Sequence, residues 1–88
     1  MDYNTIRNET EEKEMKATAA VRDIMSKKSV SLVEMANSTD RSKQATWERL
    51  NQENISVSKL NELLAVVGYK VMIVPDNVKA EDGWYVAE

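Results

Sequence analysis

Two helix-start signals stand only eleven positions apart in the run from Ser31 to Leu50, SLVEMANSTDRSKQATWERL, and they constrain the fold more than any other feature of the chain. Ser31 can accept from the backbone N–H of Glu34 while Glu34 reaches back to the N–H of Ser31, the reciprocal arrangement of a capping box. Val30 and Met35 stand where a hydrophobic staple needs them. Leu32, Met35 and Ala36 then fall at i, i+3 and i+4 and give a helix of about two turns a single apolar face. The residues from Asn37 to Asp40 are too polar to continue it. Ser42 is the natural cap of a second helix, predicted from Lys43 to about Gln52.

On that second helix Thr46 and Leu50 share one face, with Ala45 and Arg49 beside them, and Lys43, Gln44, Trp47, Glu48 and Asn51 occupy the other. Gln and Asn can pair bidentately with adenine, and Arg or Lys with guanine, so a short helix showing these side chains suits base edges. A solvated face in any small helical bundle has the same composition. Spacing alone leaves both readings open.

At 88 residues the chain is expected to form one domain, small enough that self-association would help its core. Cysteine and histidine are both absent, which removes disulfides, Cys or His metal sites, thiol nucleophiles and histidine acid–base chemistry. Gly68 and Gly83, the only two glycines, cannot make a phosphate-cradling loop. We therefore expect no catalysis and no cofactor. No apolar run approaches the ~20 residues that span a bilayer, and the N-terminus is acidic rather than signal-like. The expectation is a soluble, cytoplasmic protein with no membrane partner.

The formal net charge of −3 opposes a nucleic-acid partner until its distribution is counted. Residues 1–14 hold five acids against two bases, and residues 76–88 hold four acids against one. The middle, 15–75, has nine bases and six acids, so the acidity belongs to the ends and the centre is mildly basic. Lys27, Lys28, Arg41, Lys43, Arg49 and Lys59 are the cations available to phosphates, and two copies on a symmetric site would double them.

The remaining elements follow from period and punctuation. Residues 1–9 read as a flexible acidic arm. A first helix is predicted from about Thr10 to Lys28, with Glu11, Glu12 and Glu14 favoured near its N-terminus and Ala17, Val21, Ile24 and Met25 facing inward. Ser56 caps a fourth helix ending near Val67, whose Leu60, Leu63, Leu64 and Val67 form the clearest apolar stripe, and Gly68 stands where a left-handed C-terminal cap belongs. Residues 10–68 thus make the helical domain and 69–88 a β extension with an acidic tail. Tyr69, Val71 and Ile73 alternate with Lys70, Met72 and Val74 as in a strand stopped by Pro75, and Trp84 to Ala87 reads as a second strand. Such strands cannot stand alone. They form a hairpin over the helices, or Tyr69–Val74 pairs with its copy in a second subunit through Tyr69, Val71 and Ile73.

The order of elements and the run SLVEMANSTDRSKQATWERLNQENISVSKLNELLAVVGYKVMIVP resemble the phage repressor/Cro-like (XRE-type) helix-turn-helix family over residues 17–75, roughly two thirds of the chain. Ala36 matches the small residue at the helix crossing, Ser42 the cap of the recognition helix, Leu60, Leu63 and Leu64 the following core, and Gly68 and Tyr69 the terminal pair. Asp40 replaces the usual turn glycine, Thr39 and Thr46 replace larger aliphatic residues, and Arg49 stands where many members are apolar. The fold this implies is mainly α, a four-helix repressor/Cro-like helix-turn-helix domain with a short C-terminal β-strand or hairpin. The resemblance further implies that Lys43, Gln44 and Trp47 read the major groove of double-stranded DNA. Arg41, Ser42 and Arg49 would hold phosphates, and Asn51 and Gln52 would reach the backbone from the helix end. For Trp47, half-burial against a neighbouring helix is an equal alternative. For Arg49 the alternative is a surface pair with Glu48, Glu53 or Glu62.

Two functional expectations follow. One is a sequence-specific DNA-binding transcriptional regulator, a homodimer on an inverted repeat with half-sites about one helical turn apart. The other is a protein-binding adaptor or inhibitor, antitoxin-like or a phage-encoded antagonist, that keeps the fold and uses the acidic tails to mask a basic partner.

Overall fold

In the computed structural model, which describes residues 14–87, the chain runs β1 (Glu14–Met15), α1 (Ala17–Lys27), α2 (Leu32–Ser38), α3 (Lys43–Leu50), α4 (Val57–Val66) and β2 (Val86–Ala87). The mainly helical reading holds, with four helices in the expected order. The acidic arm 1–9, with Glu11 and Glu12, lies outside the described residues. The first helix begins at Ala17 and not near Thr10. Glu14 and Met15 instead pair in parallel with Val86 and Ala87, which gives their backbone partners that a helix would have to forgo. Lys16 precedes α1 without a capping side chain.

The other three helices start on serines, as the spacing predicts. The Ser31 hydroxyl accepts from Glu34 N–H at 3.1 Å and the Glu34 carboxylate accepts from Ser31 N–H at 2.8 Å, completing the capping box. Ser42 accepts from Ala45 N–H and Ser56 from Lys59 N–H. Three helices end alike. After α1, α2 and α4 the chain turns through a left-handed residue, Ser29 (φ 58°), Asp40 (φ 56°) and Gly68 (φ 79°). The next amide reaches back to the helix: Val30 to Met25 O, Arg41 to Ala36 O and Tyr69 to Leu64 O. These are paired C-terminal closures of the Schellman kind, in which two otherwise orphaned carbonyls are satisfied.

Short helices of this length hold their shape through packing. Val21, Ile24 and Met25 of α1 meet Met35 of α2, Leu50 of α3, Leu60, Leu63 and Leu64 of α4, and Val67 in one cluster. Met35 and Val21 are completely enclosed. Val30, Leu32, Ile55, Tyr69, Val71 and Tyr85 close its margin.

The segment after α4 departs from its strand expectation. Residues 69–74 form no strand, and of the second predicted strand only Val86–Ala87 does, paired with β1 and not in a hairpin. The alternation that predicted an independent strand serves to turn Tyr69 and Val71 onto the core margin. Val71 N–H then donates to Asn61 Oδ1 at 3.0 Å on α4, and the Tyr69 hydroxyl to Gly83 O at 2.9 Å. The returning chain is clamped on α1: the Tyr85 hydroxyl donates to Asp23 Oδ2, Lys27 Nζ donates to that hydroxyl, and the Tyr69 and Tyr85 rings meet edge-on at 6.1 Å. Lys28 Nζ lies over the Tyr69 ring. Burial, then the bond to Asp23, raises the Tyr85 phenol above its ordinary pKa. The bonds to Tyr85 and Asp23 likewise raise Lys27.

Candidate nucleic-acid interface

α3 is buried along one side and open along the other. Thr46 is fully enclosed and Leu50 is 4% exposed, whereas Lys43, Gln44, Trp47, Glu48 and Asn51 all face solvent. The Thr46 hydroxyl donates to Ser42 O at 2.9 Å within its own helix, so a polar residue sits in the core without an unpaired group. Thr39 does the same with Met35 O. These bonds satisfy the hydroxyls of the two threonines that stand in place of larger aliphatic residues. Trp47 is 56% exposed, so a large part of it is open to solvent.

Three contacts set where α3 lies. Its N-terminus is fixed by the left-handed Asp40 and the Arg41 N–H to Ala36 O bond, which permit the chain to reverse in only a few residues between α2 and α3. α2 supplies its most extensive packing partner, followed by α1. Just beyond its C-terminus, the buried hydroxyl of Thr18 on α1 donates to Gln52 O at 2.8 Å. Sequence reasoning passes over Thr18, since a threonine in a helical first turn is ordinary and nothing local marks a carbonyl 34 positions away as its partner.

The phosphate candidates are divided by Glu62 of α4. Arg49 Nη1 donates to Glu62 Oε1, and Arg41 Nη2 lies 3.5 Å from the same oxygen. The hydrogen bond from Arg49, reinforced by the charge of Arg41, holds the Glu62 carboxyl below its ordinary pKa. Arg49 is therefore the surface-pair alternative, with Glu62 as the partner, and its side chain is only 12% exposed. Arg41, at 39%, keeps much of its guanidinium in solvent. Asn51 turns its amide back to Trp47 O at 2.8 Å and caps the helix end. The Ser42 hydroxyl accepts from Ala45 and retains its own proton to donate. Gln52 is exposed, and its carbonyl is the group held by Thr18. Lys43 has no ion pair among the described residues, whereas Lys27 and Lys28 are drawn to the tyrosine clamp.

Tyr69 and Val71 are occupied within the chain, and of the three expected dimer residues only Ile73 is open, at 99% exposure. Among the described residues no group of three or more acidic side chains is placed to hold a metal ion, and no helix is long and apolar enough to cross a membrane. No protein-family model matches the chain, and no curated protein or solved structure matches it either.

Proposed function

We propose that the chain is a sequence-specific DNA-binding transcriptional regulator of the repressor type, a helix-turn-helix protein that inserts α3 into the major groove as a homodimer on an inverted repeat. The observation that carries this reading is the one-sided burial of α3 directly after a tight capped turn: Thr46 and Leu50 anchor it while Lys43, Gln44 and Trp47 stand free at its start and outer face. A helix is ~10–12 Å across with its side chains and fits a groove of about that width. Lys43 and Gln44 offer donors and acceptors to base edges, and Trp47 offers apolar area to a thymine methyl or a sugar. Arg41 and the Ser42 hydroxyl hold phosphates beside it, which sets register without reading sequence. The test is fluorescence anisotropy of a labelled duplex from upstream of the protein's own reading frame against a scrambled duplex at two salt concentrations. A preference of roughly a thousandfold or more supports specific recognition. Equal binding that vanishes with salt overturns it.

A protein-binding adaptor is the second reading, favoured by two features: Glu62 already occupies Arg41 and Arg49, and an exposed indole on a small domain suits a protein surface as well as a groove. Deleting residues 76–88 would separate the two poorly, because it removes Tyr85 and β2 from the fold. Neutralising Glu81 and Asp82 by amides is the better experiment. A regulator then binds DNA as well or better, while an adaptor that masks a basic partner loses it.

A further inference from the structure

The arm between α4 and the tyrosine clamp combines an unpaired backbone with bare apolar side chains. Ile73 is 99% exposed, Met72 55%, Val78 46% and Val74 41%. Among the described residues no donor or acceptor meets the amides of Met72, Ile73 and Val74. On either side the available donors stop: Val71 N–H is taken by Asn61, and Pro75 has none. An edge of this kind is a template for another chain.

We propose that this arm is the face by which two copies associate, pairing antiparallel about a two-fold axis at Ile73. This rests on the dimer of the preceding reading but not on DNA. In an isologous pair centred there, Met72 lies opposite Val74 of the partner copy and Val71 opposite Pro75, and Lys70 comes beside the turn that begins at Pro75 and carries Asp76. Antiparallel pairs alternate between those that exchange two hydrogen bonds and those that exchange none. Val71 and Pro75 have no N–H to give, so they occupy a non-bonded position. Met72 and Val74 then fall where both amides and both carbonyls are used, and the two Ile73 residues meet at the closer, non-bonded spacing. The same register sets Lys70 against Asp76 twice across the axis, an attraction between opposite charges. Centring one residue earlier would put Lys70 opposite Val74, and one later would carry it past the turn at Asp76, so the charge match belongs to this register. Unpaired amides and exposed apolar side chains call for a chain to pair with, and the self-complementary charge order selects a second copy of this one.

Sedimentation equilibrium of the full chain without DNA tests the assignment. The wild type is expected to show a monomer–dimer equilibrium. Lys70→Glu and Asp76→Lys should each weaken it by about tenfold, from two like-charge oppositions replacing two attractions, and the double variant should recover it. Because the chain has no cysteine, Ile73→Cys should form a disulfide-linked dimer in air while Lys79→Cys should not. Circular dichroism confirms that each variant is folded. A wild type that stays monomeric at all concentrations, or a dimer indifferent to both charge reversals, overturns the proposal, the first outcome leaving the arm to a different protein. Failure of duplex binding with the charge-swap pattern intact would reject the DNA reading and leave this interface standing.

Discussion

The Thr18 hydroxyl on α1 donates to the Gln52 carbonyl at 2.8 Å, so the first helix holds the far end of the helix that carries the candidate reading face. Thr18 is 3% exposed. Replacing it by the isosteric valine leaves a carbonyl without its donor, at a cost of about 1–2 kcal/mol. Thermal unfolding followed by circular dichroism should show a midpoint lower by roughly 4–8 °C for each kcal/mol in a domain of this size. An unchanged midpoint would mean that water replaces the hydroxyl and that α3 is held by packing alone.

Asp40 and Gly68 occupy equivalent left-handed positions at φ 56° and 79°. Glycine reaches this region without strain, and a side chain costs roughly 1 kcal/mol there. Asp40→Gly should stabilise the protein and Gly68→Ala should destabilise it, each by about that amount. For Gly68 the penalty comes from backbone conformation, since an added methyl would meet only the flexible Lys28 ammonium at 3.5 Å. Urea midpoints that move in the same direction for both variants would contradict the account.

Under the DNA reading, base and phosphate contacts separate by substitution. Gln44→Ala should relax sequence preference, while Arg41→Ala weakens binding to all duplexes alike; equal patterns from the two would sink these roles. Glu62→Gln should strengthen binding to every duplex, because Arg41 no longer divides its charge between a carboxylate and a phosphate. The slope of log affinity against log salt should steepen by about one for each cation gained. A slope left unchanged by Arg41→Ala would show that Arg41 reaches no phosphate.

The depressed Glu62 carboxyl also predicts an acid response. Its folded pKa lies below its unfolded one, so the stability it lends is fully present above the ordinary carboxylate value. It is lost as pH falls through the lower folded value. Denaturant midpoints of wild type and Glu62→Gln should therefore differ at neutral pH and draw together in acid. Parallel curves from pH 7 to about pH 2 would rule out a contribution from the arginine cluster.

At the opposite limit stands the tyrosine clamp. Tyr85 and Lys27 are both raised, so their contribution is intact below the ordinary values near pH 10 and fades as pH rises through the folded ones. Tyr85→Phe keeps the ring contact with Tyr69 but leaves Asp23 and Lys27 without the hydroxyl, and should cost about 1 kcal/mol. Amide exchange at Val86 and Ala87 is the direct readout. Faster exchange there, with α3 amides unchanged, is expected; uniform acceleration would mean that the clamp supports the whole domain and not the returning arm.

What the sequence by itself determined is local. Ser31, Ser42 and Ser56 name three helix starts because the backbone amides that donate to their hydroxyls lie three residues away. Gly68 marks an end because only a left-handed residue closes it, and Met35, Leu50 and Leu63 declare the core by period. Asp40 was legible as a turn, and the open face of α3 follows from the same periodicity. Tertiary structure alone decided the rest: that Glu62 takes Arg41 and Arg49, that Thr18 holds Gln52, that Glu14–Met15 pair with Val86–Ala87 before α1 begins, and that Tyr69 and Val71 leave the predicted strand for the core margin. Capping bonds close within one helical turn, where spacing along the chain is distance in space. A hydroxyl and a carbonyl 34 residues apart, or a tyrosine and an aspartate 62 apart, meet only after the helices have packed.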